Sequence, residues 1–150
     1  MMKILKTYNQ LFENKEITYN DLLNAILNND VDFFKDNINL LKKFNIDDML
    51  NIAASNCKED IIKFLINIGA DVNYTDRVKW TPLLYAAFNE CFECVFALLD
   101  VKNINLFHTD IDGKTFMDYL DDKNKLMIKE KYPKIYNKWI IEKQAKKFNI

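Results

Sequence analysis

The chain has one serine, Ser55, and one histidine, His108, so a hydrolytic pair of nucleophile and base would have to be made from these two. Proton transfer between them needs hydrogen-bond contact. An internal repeat puts them in units about two apart, with packed helices roughly 8–10 Å from one another. No catalysis is expected from them. Cys91 and Cys94 raise a second chemistry, because "CFEC" has a spacing shared by redox and zinc motifs. A redox pair of that type needs a βαβ setting, and a structural zinc site needs about four ligands, for which only Cys57 and His108 remain. The expected roles are structural, with Cys94 on a buried apolar stripe and Cys57 near a turn. Three cysteines are too few and too oddly numbered for a disulfide framework, which points to a reducing compartment and a cytoplasmic protein. The carboxylate pairs Asp47–Asp48 and Asp121–Asp122 have no ligand cluster or glycine-rich phosphate loop beside them, and they read as helix-start and surface charges. No metal and no cofactor is expected.

The elements that position these residues come from an internal repeat. Shifting the chain by 33 residues lays Leu50 on Leu83, Ala53 and Ala54 on Ala86 and Ala87, Asn56 on Asn89, Ile62 on Val95 and Leu65 on Leu98. A shift of 34 then carries Asp76 onto Asp110 and Thr81 onto Thr115, which places one extra residue in the connecting loop. Each unit holds two short helices. The first is small-faced, with alanine pairs where a neighbouring helix comes close. The second carries a branched stripe, Ile61, Ile62, Leu65 and Ile66 in one unit and Cys94, Val95, Leu98 and Leu99 in the next. The chain owns only two glycines and two prolines, and they punctuate this pattern. Thr81 before Pro82 reads as an N-cap hydroxyl followed by proline at the first helical position. Gly69 reads as a left-handed helix stop, and Gly113 in "DIDGKT" as a tight turn.

About half of the 150 residues are hydrophobic, enough for one domain with its own core. No continuous apolar run of about 18 residues is present, and "MMKILKTYNQLF" lacks the apolar core of a signal peptide. The net charge of −1 conceals a polarity. Residues 123–150 hold nine lysines against two glutamates, or +7, so the preceding 122 residues carry −8. An acidic body precedes a basic tail.

The stretches "DRVKWTPLLYAA" at 76–87, "GADVN" at 69–73 and "DIDGKT" at 110–115 resemble the repeat of the ankyrin proteins. The resemblance implies an all-α solenoid of stacked helix-turn-helix units with hairpin-like finger loops. A single domain is expected: an N-terminal flanking helix at 1–17, a degenerate repeat at 18–42, repeats at 43–75 and 76–109, a cap repeat at 110–132 and a basic helix at 133–150. Two departures stand out. The family's TPLH histidine, which ties finger to helix, is here Leu84, and the turn glycine is Lys79, so that joint is expected to be loose. The connection "VKNINLFHTD" is longer than usual, and the finger carrying Phe107 and His108 is expected to protrude.

Function, by the same resemblance, is non-enzymatic binding of a protein partner on the concave face. The variable positions there map to Arg77, Val78, Trp80, Phe88 and Asn89, to Asp47, Ser55 and Asn56 in the preceding unit, and to Ile111, Asp112 and Lys114 in the following one. Trp and Arg are enriched among interface hot spots. The alternative for the aromatics is packing on neighbouring fingers or on the terminal helix. The acidic body suits a basic partner, and short members of the family include inhibitors and immunity proteins. The chain is expected to be a monomer when free, without nucleic acid or membrane as partner. The competing reading makes the helix at 133–150 a tether to nucleic acid or an anionic membrane. Against it, Tyr136, Trp139 and Ile140 are suited to cover the open end of the stack.

Overall fold

The structure, a computed structural model, describes residues 16–148. The expected flanking helix at 1–17 lies outside the described residues except for Glu16 and Ile17, which are not helical. The described residues are mainly helical, and no strand occurs among them. Helices α1 (Tyr19–Leu27) and α2 (Val31–Asp36) form one hairpin, α3 (Ile46–Ser55) and α4 (Glu59–Asn67) a second, and α5 (Pro82–Phe88) and α6 (Phe92–Leu99) a third. A one-turn helix α7 (Phe116–Tyr119), then α8 (Asp122–Lys131) and α9 (Pro133–Phe148), complete the chain. First helices touch in the series α1, α3, α5, α7, and second helices in the series α2, α4, α6. Two layers of stacked hairpins make an all-α repeat solenoid.

The layers follow from side-chain size. Ala53, Ala54, Ala86 and Ala87 are fully buried where α3 meets α5, while Ile61, Ile62, Leu65, Val95 and Leu98 are fully buried along α4 and α6. Each large apolar side chain removed from water contributes about 1.5–3 kcal/mol, so the outer stripe supplies much of the driving force and the alanines set the spacing. Caps fix where the helices begin. Thr81 Oγ1 accepts from the Leu84 amide at 3.3 Å with Pro82 at the first helical position. Thr18 with Asp21, and Thr115 with Asp118, form capping boxes. Gly69 at φ +100° ends the α4 hairpin in the region glycine adopts cheaply.

Three expectations are corrected. The joint after Leu84 is tied, because the next residue does the work expected of a histidine: Tyr85 donates its hydroxyl to Asp76 Oδ2 at 2.5 Å. Leu84 turns into the core instead. The finger around Phe107 and His108 lies down. His108 Nε2 donates to the Lys79 carbonyl at 2.8 Å, Lys138 Nζ sits 4.4 Å from the centroid of the Phe107 ring, and both residues are half-buried. The cysteines, expected to be separate thiols, are not all separate. Cys57 and Cys91 are joined by a disulfide with Cα atoms 5.0 Å apart, leaving Cys94 as a free, buried thiol. Their separation of 34 residues spans one repeat, so two turns of adjacent hairpins fall side by side.

At the far end α9 is docked. Trp139 is only 7% exposed, Lys143 pairs with Asp118 at 3.3 Å, and Tyr132 donates to Asp100 at 2.7 Å while stacking on Phe96.

Candidate functional site

The side of the molecule built from first helices and finger turns is organised by two equivalent carboxylates. Asp76 Oδ1 accepts from the amides of Val78 at 3.0 Å and Trp80 at 2.9 Å, and its Oδ2 takes the Tyr85 hydroxyl. One repeat later Asp110 Oδ1 accepts from Asp112 and Lys114, and Oδ2 takes the Tyr119 hydroxyl. Each carboxylate folds its finger turn back over the first helix of its unit. Burial first, and the Asp76 bond second, push the Tyr85 hydroxyl up to about 12. Tyr119 is likewise pushed up to about 12, by burial and then by Asp110. At Asp110 the largest influence, burial, raises the carboxyl, but hydrogen bonds from Tyr119, Lys114 and Asp112 outweigh it and hold the group below its usual value.

This scaffold gathers aromatic rings. Trp80 lies 5.0 Å from Tyr85, 5.2 Å from Phe88 and 5.4 Å from Tyr119, centroid to centroid, and Phe88 meets Tyr119 edge to face at 5.5 Å. Lys114 Nζ sits 5.3 Å over the Tyr119 ring. The cluster is half-finished as a core. Trp80 is partly covered, whereas Phe88 is 55% exposed, with Val78 at 48% and Ile111 at 68% on neighbouring turns. Large apolar groups exposed singly are ordinary, whereas clustered ones mark binding surfaces.

Beside the cluster the surface is grooved and acidic. A cavity of about 250 Å³ is lined by Tyr19, Asp48, Asn51, Ser55, Asp76 and Tyr85 among others. A second, of about 470 Å³, shares Asp48 and Asp76 and adds Tyr74, Arg77 and Val78. The Asp48 carboxylate, before burial, holds the Tyr74 hydroxyl protonated above its usual range. Asn51 is 6% exposed and donates to the Trp80 carbonyl at 3.4 Å, which ties α3 to the finger of the next unit.

A family model described as ankyrin repeats, in three copies, matches residues 15–115. The chain belongs to the ankyrin-repeat family. Its repeats are generic modules of protein–protein interaction, and the family is typically non-enzymatic. No curated protein matches the sequence.

Within this ankyrin domain the residues expected to bind a partner divide into two groups. Trp80 and Phe88 are in contact, and Lys114 joins them through Tyr119. Arg77, Val78 and Ser55 line the adjoining cavities. Several others are occupied by the fold. Asp47 accepts the Asp71 amide at 2.7 Å, Asn56 donates to the Ile52 carbonyl and to Ser55, and Asn89 donates to the Tyr85 carbonyl. Ile111 and Asp112 are exposed on the following turn. Sequence reasoning missed Asp48, Tyr74, Tyr85 and Tyr119. The available signal was the recurrence of aspartate and tyrosine nine residues apart, at 76 and 85 and again at 110 and 119. Ser55 and His108 are engaged separately, the one donating to the Ile52 carbonyl and the other to the Lys79 carbonyl.

Proposed function

We propose that the protein is a non-enzymatic binding module that holds one protein partner against the first-helix face, centred on Phe88, Trp80 and Tyr119. The single observation that carries this reading is an aromatic cluster held by two aspartate–tyrosine ties yet left open to water at Phe88, with Val78 and Ile111 exposed on adjoining turns. A rigid aromatic anchor loses little conformational freedom on binding, which is what a hot spot requires. The rim supports a basic partner, because Asp48 and Asp76 line the adjoining cavities and the first 122 residues carry −8. An enzyme or toxin neutralised by occlusion fits that chemistry, in the manner of an inhibitor or immunity protein, and we place the encounter in the cytoplasm with the free protein monomeric. Among the described residues no helix is long and apolar enough to cross a membrane. The tether reading is disfavoured by the engagement of α9 through Trp139 and Lys143.

The test is site-specific photocrosslinking in the native host, with the reactive side chain at position 88 and, as control, at exposed Lys63 on α4. A discrete protein adduct from position 88 alone is expected. Equal adducts from both positions, or none from either, would overturn the proposal.

A further inference from the structure

We propose that Cys57 is a site of thiol–disulfide exchange with small disulfides of the glutathione class, and that Cys91 is its resolving thiol. The two sulfurs meet because of the register. Cys57 holds the left-handed residue of the α3–α4 turn, at φ 57°, and is exposed, whereas Cys91 is the N-cap of α6 and 2% exposed. Their Cα separation of 5.0 Å falls inside the range a disulfide spans without moving the backbone. The turn of one hairpin thus reaches the start of the next hairpin's second helix. The preceding pair of units makes the same connection without a covalent bond: Asn29, the left-handed residue of the α1–α2 turn at φ 55°, donates to Asp60 in the first turn of α4 at 3.0 Å.

That comparison separates the clasp from the fold. Stacking of α3 on α5 and of α4 on α6 rests on fully buried apolar side chains, so both redox states keep the solenoid. Cys91 Sγ lies 3.6 Å from the Asn89 carbonyl, so a thiol formed at Cys91 on reduction has an acceptor at hand. What oxidation changes is the freedom of two turns. Asn56, next to Cys57, and Asn89, two residues before Cys91, close the helices that carry Ser55 and Phe88. The clasp therefore fixes the spacing between the second and third hairpins at the end of the proposed binding face, although its chemistry does not depend on that face binding anything.

The exchange balances in two steps. The exposed Cys57 thiolate attacks glutathione disulfide, forming a mixed disulfide and releasing one glutathione thiolate. Cys91 thiolate then attacks the Cys57 sulfur, forming the internal bond and releasing the second. The two cysteines lose two electrons, the small disulfide gains them, and the protons of Cys57 and Cys91 end on two glutathione thiols. In a reducing compartment the pair is mainly open, and it closes when the glutathione pool is oxidised.

The test uses the full chain equilibrated over a series of glutathione redox ratios, quenched with acid, and alkylated under denaturing conditions before intact-mass analysis. Oxidised protein should carry one alkyl group, at Cys94, and reduced protein three, interconverting reversibly. Closing a loop of this length should raise Tm by about 8 °C or more over the reduced form. Cys57→Ser should abolish that difference, and Cys91→Ser should trap one glutathione on Cys57. Three alkyl groups at every ratio, a Tm indifferent to redox state, or glutathione recovered on Cys94 would each overturn the proposal. Should Cys91→Ser fail to fold, the wild-type titration and the exposed Cys57→Ser variant still decide it.

Discussion

Tyr85 and Tyr119 carry the hydroxyls that close two finger joints, and with their aspartates they make stability depend on pH at both extremes. Each hydroxyl has its value raised from 10.0 to about 12 by burial and by its aspartate. A raised value means that the folded state favours the neutral phenol. The contribution is complete below pH 10 and is lost as pH rises towards 12. Asp110 is shifted the other way, below its ordinary 3.8, so its contribution is present above that pH and is lost as pH falls through the lower folded-state value. Urea midpoints at pH 3, 7 and 11 should therefore peak at pH 7, and the double variant Tyr85→Phe with Tyr119→Phe should blunt the alkaline loss. At pH 7 each tyrosine substitution should cost about 1 kcal/mol, the net value of a partly exposed hydrogen bond. An alkaline limb unchanged in the double variant would show that the ties do not carry it. The recurrence of these tyrosines was visible in the sequence. Its role is not legible there, because the family pattern puts the tie at the position of Leu84, one residue earlier, and no periodicity argument distinguishes a tyrosine that packs from one whose hydroxyl closes a loop.

Helices and their ends were the most legible level. The alanine pairs, the branched stripes, Thr81 with Pro82 and Gly69 announce elements because caps and periodicity are local physics. Thr81→Ala should accordingly cost about 1 kcal/mol by orphaning the Leu84 amide, as read by thermal unfolding. Lys79 offers the opposite sign. It holds φ 61° without being glycine, a conformation that strains a residue with a Cβ, and its side chain is exposed. Lys79→Gly should stabilise the protein by about 0.5 kcal/mol, and a loss of stability would mean that the lysine side chain supports the finger. The finger of Phe107 and His108 was not legible, since what holds it down comes from distant residues: the Lys79 carbonyl and, 31 positions on, Lys138. The Cys57–Cys91 bond is illegible for the same reason, although its separation of 34 residues is within one of the 33-residue repeat.

The described residues form an acidic solenoid closed at one end by its own basic helix. Because Trp139 is almost completely buried, Trp139→Ala should cost about 3 kcal/mol, and anionic vesicles should not bind the intact protein. Vesicle binding that weakens with salt, together with an unchanged Tm for Trp139→Ala, would favour the tether. The proposed binding face is legible in part: the repeat register puts Trp80 and Phe88 on it, while the acidic groove beside them needs the stack of three units to exist. The proposed anchor is Phe88, whose ring is half in water and, among the described aromatic side chains, touches only Trp80 and Tyr119. The direct measurement is the affinity of the crosslinked and purified partner for Phe88→Ala, beside the melting temperature of the variant. We predict an affinity at least about 30-fold weaker, roughly 2 kcal/mol, with Tm lowered by less than about 3 °C. Wild-type affinity in a folded Phe88→Ala variant would contradict the account.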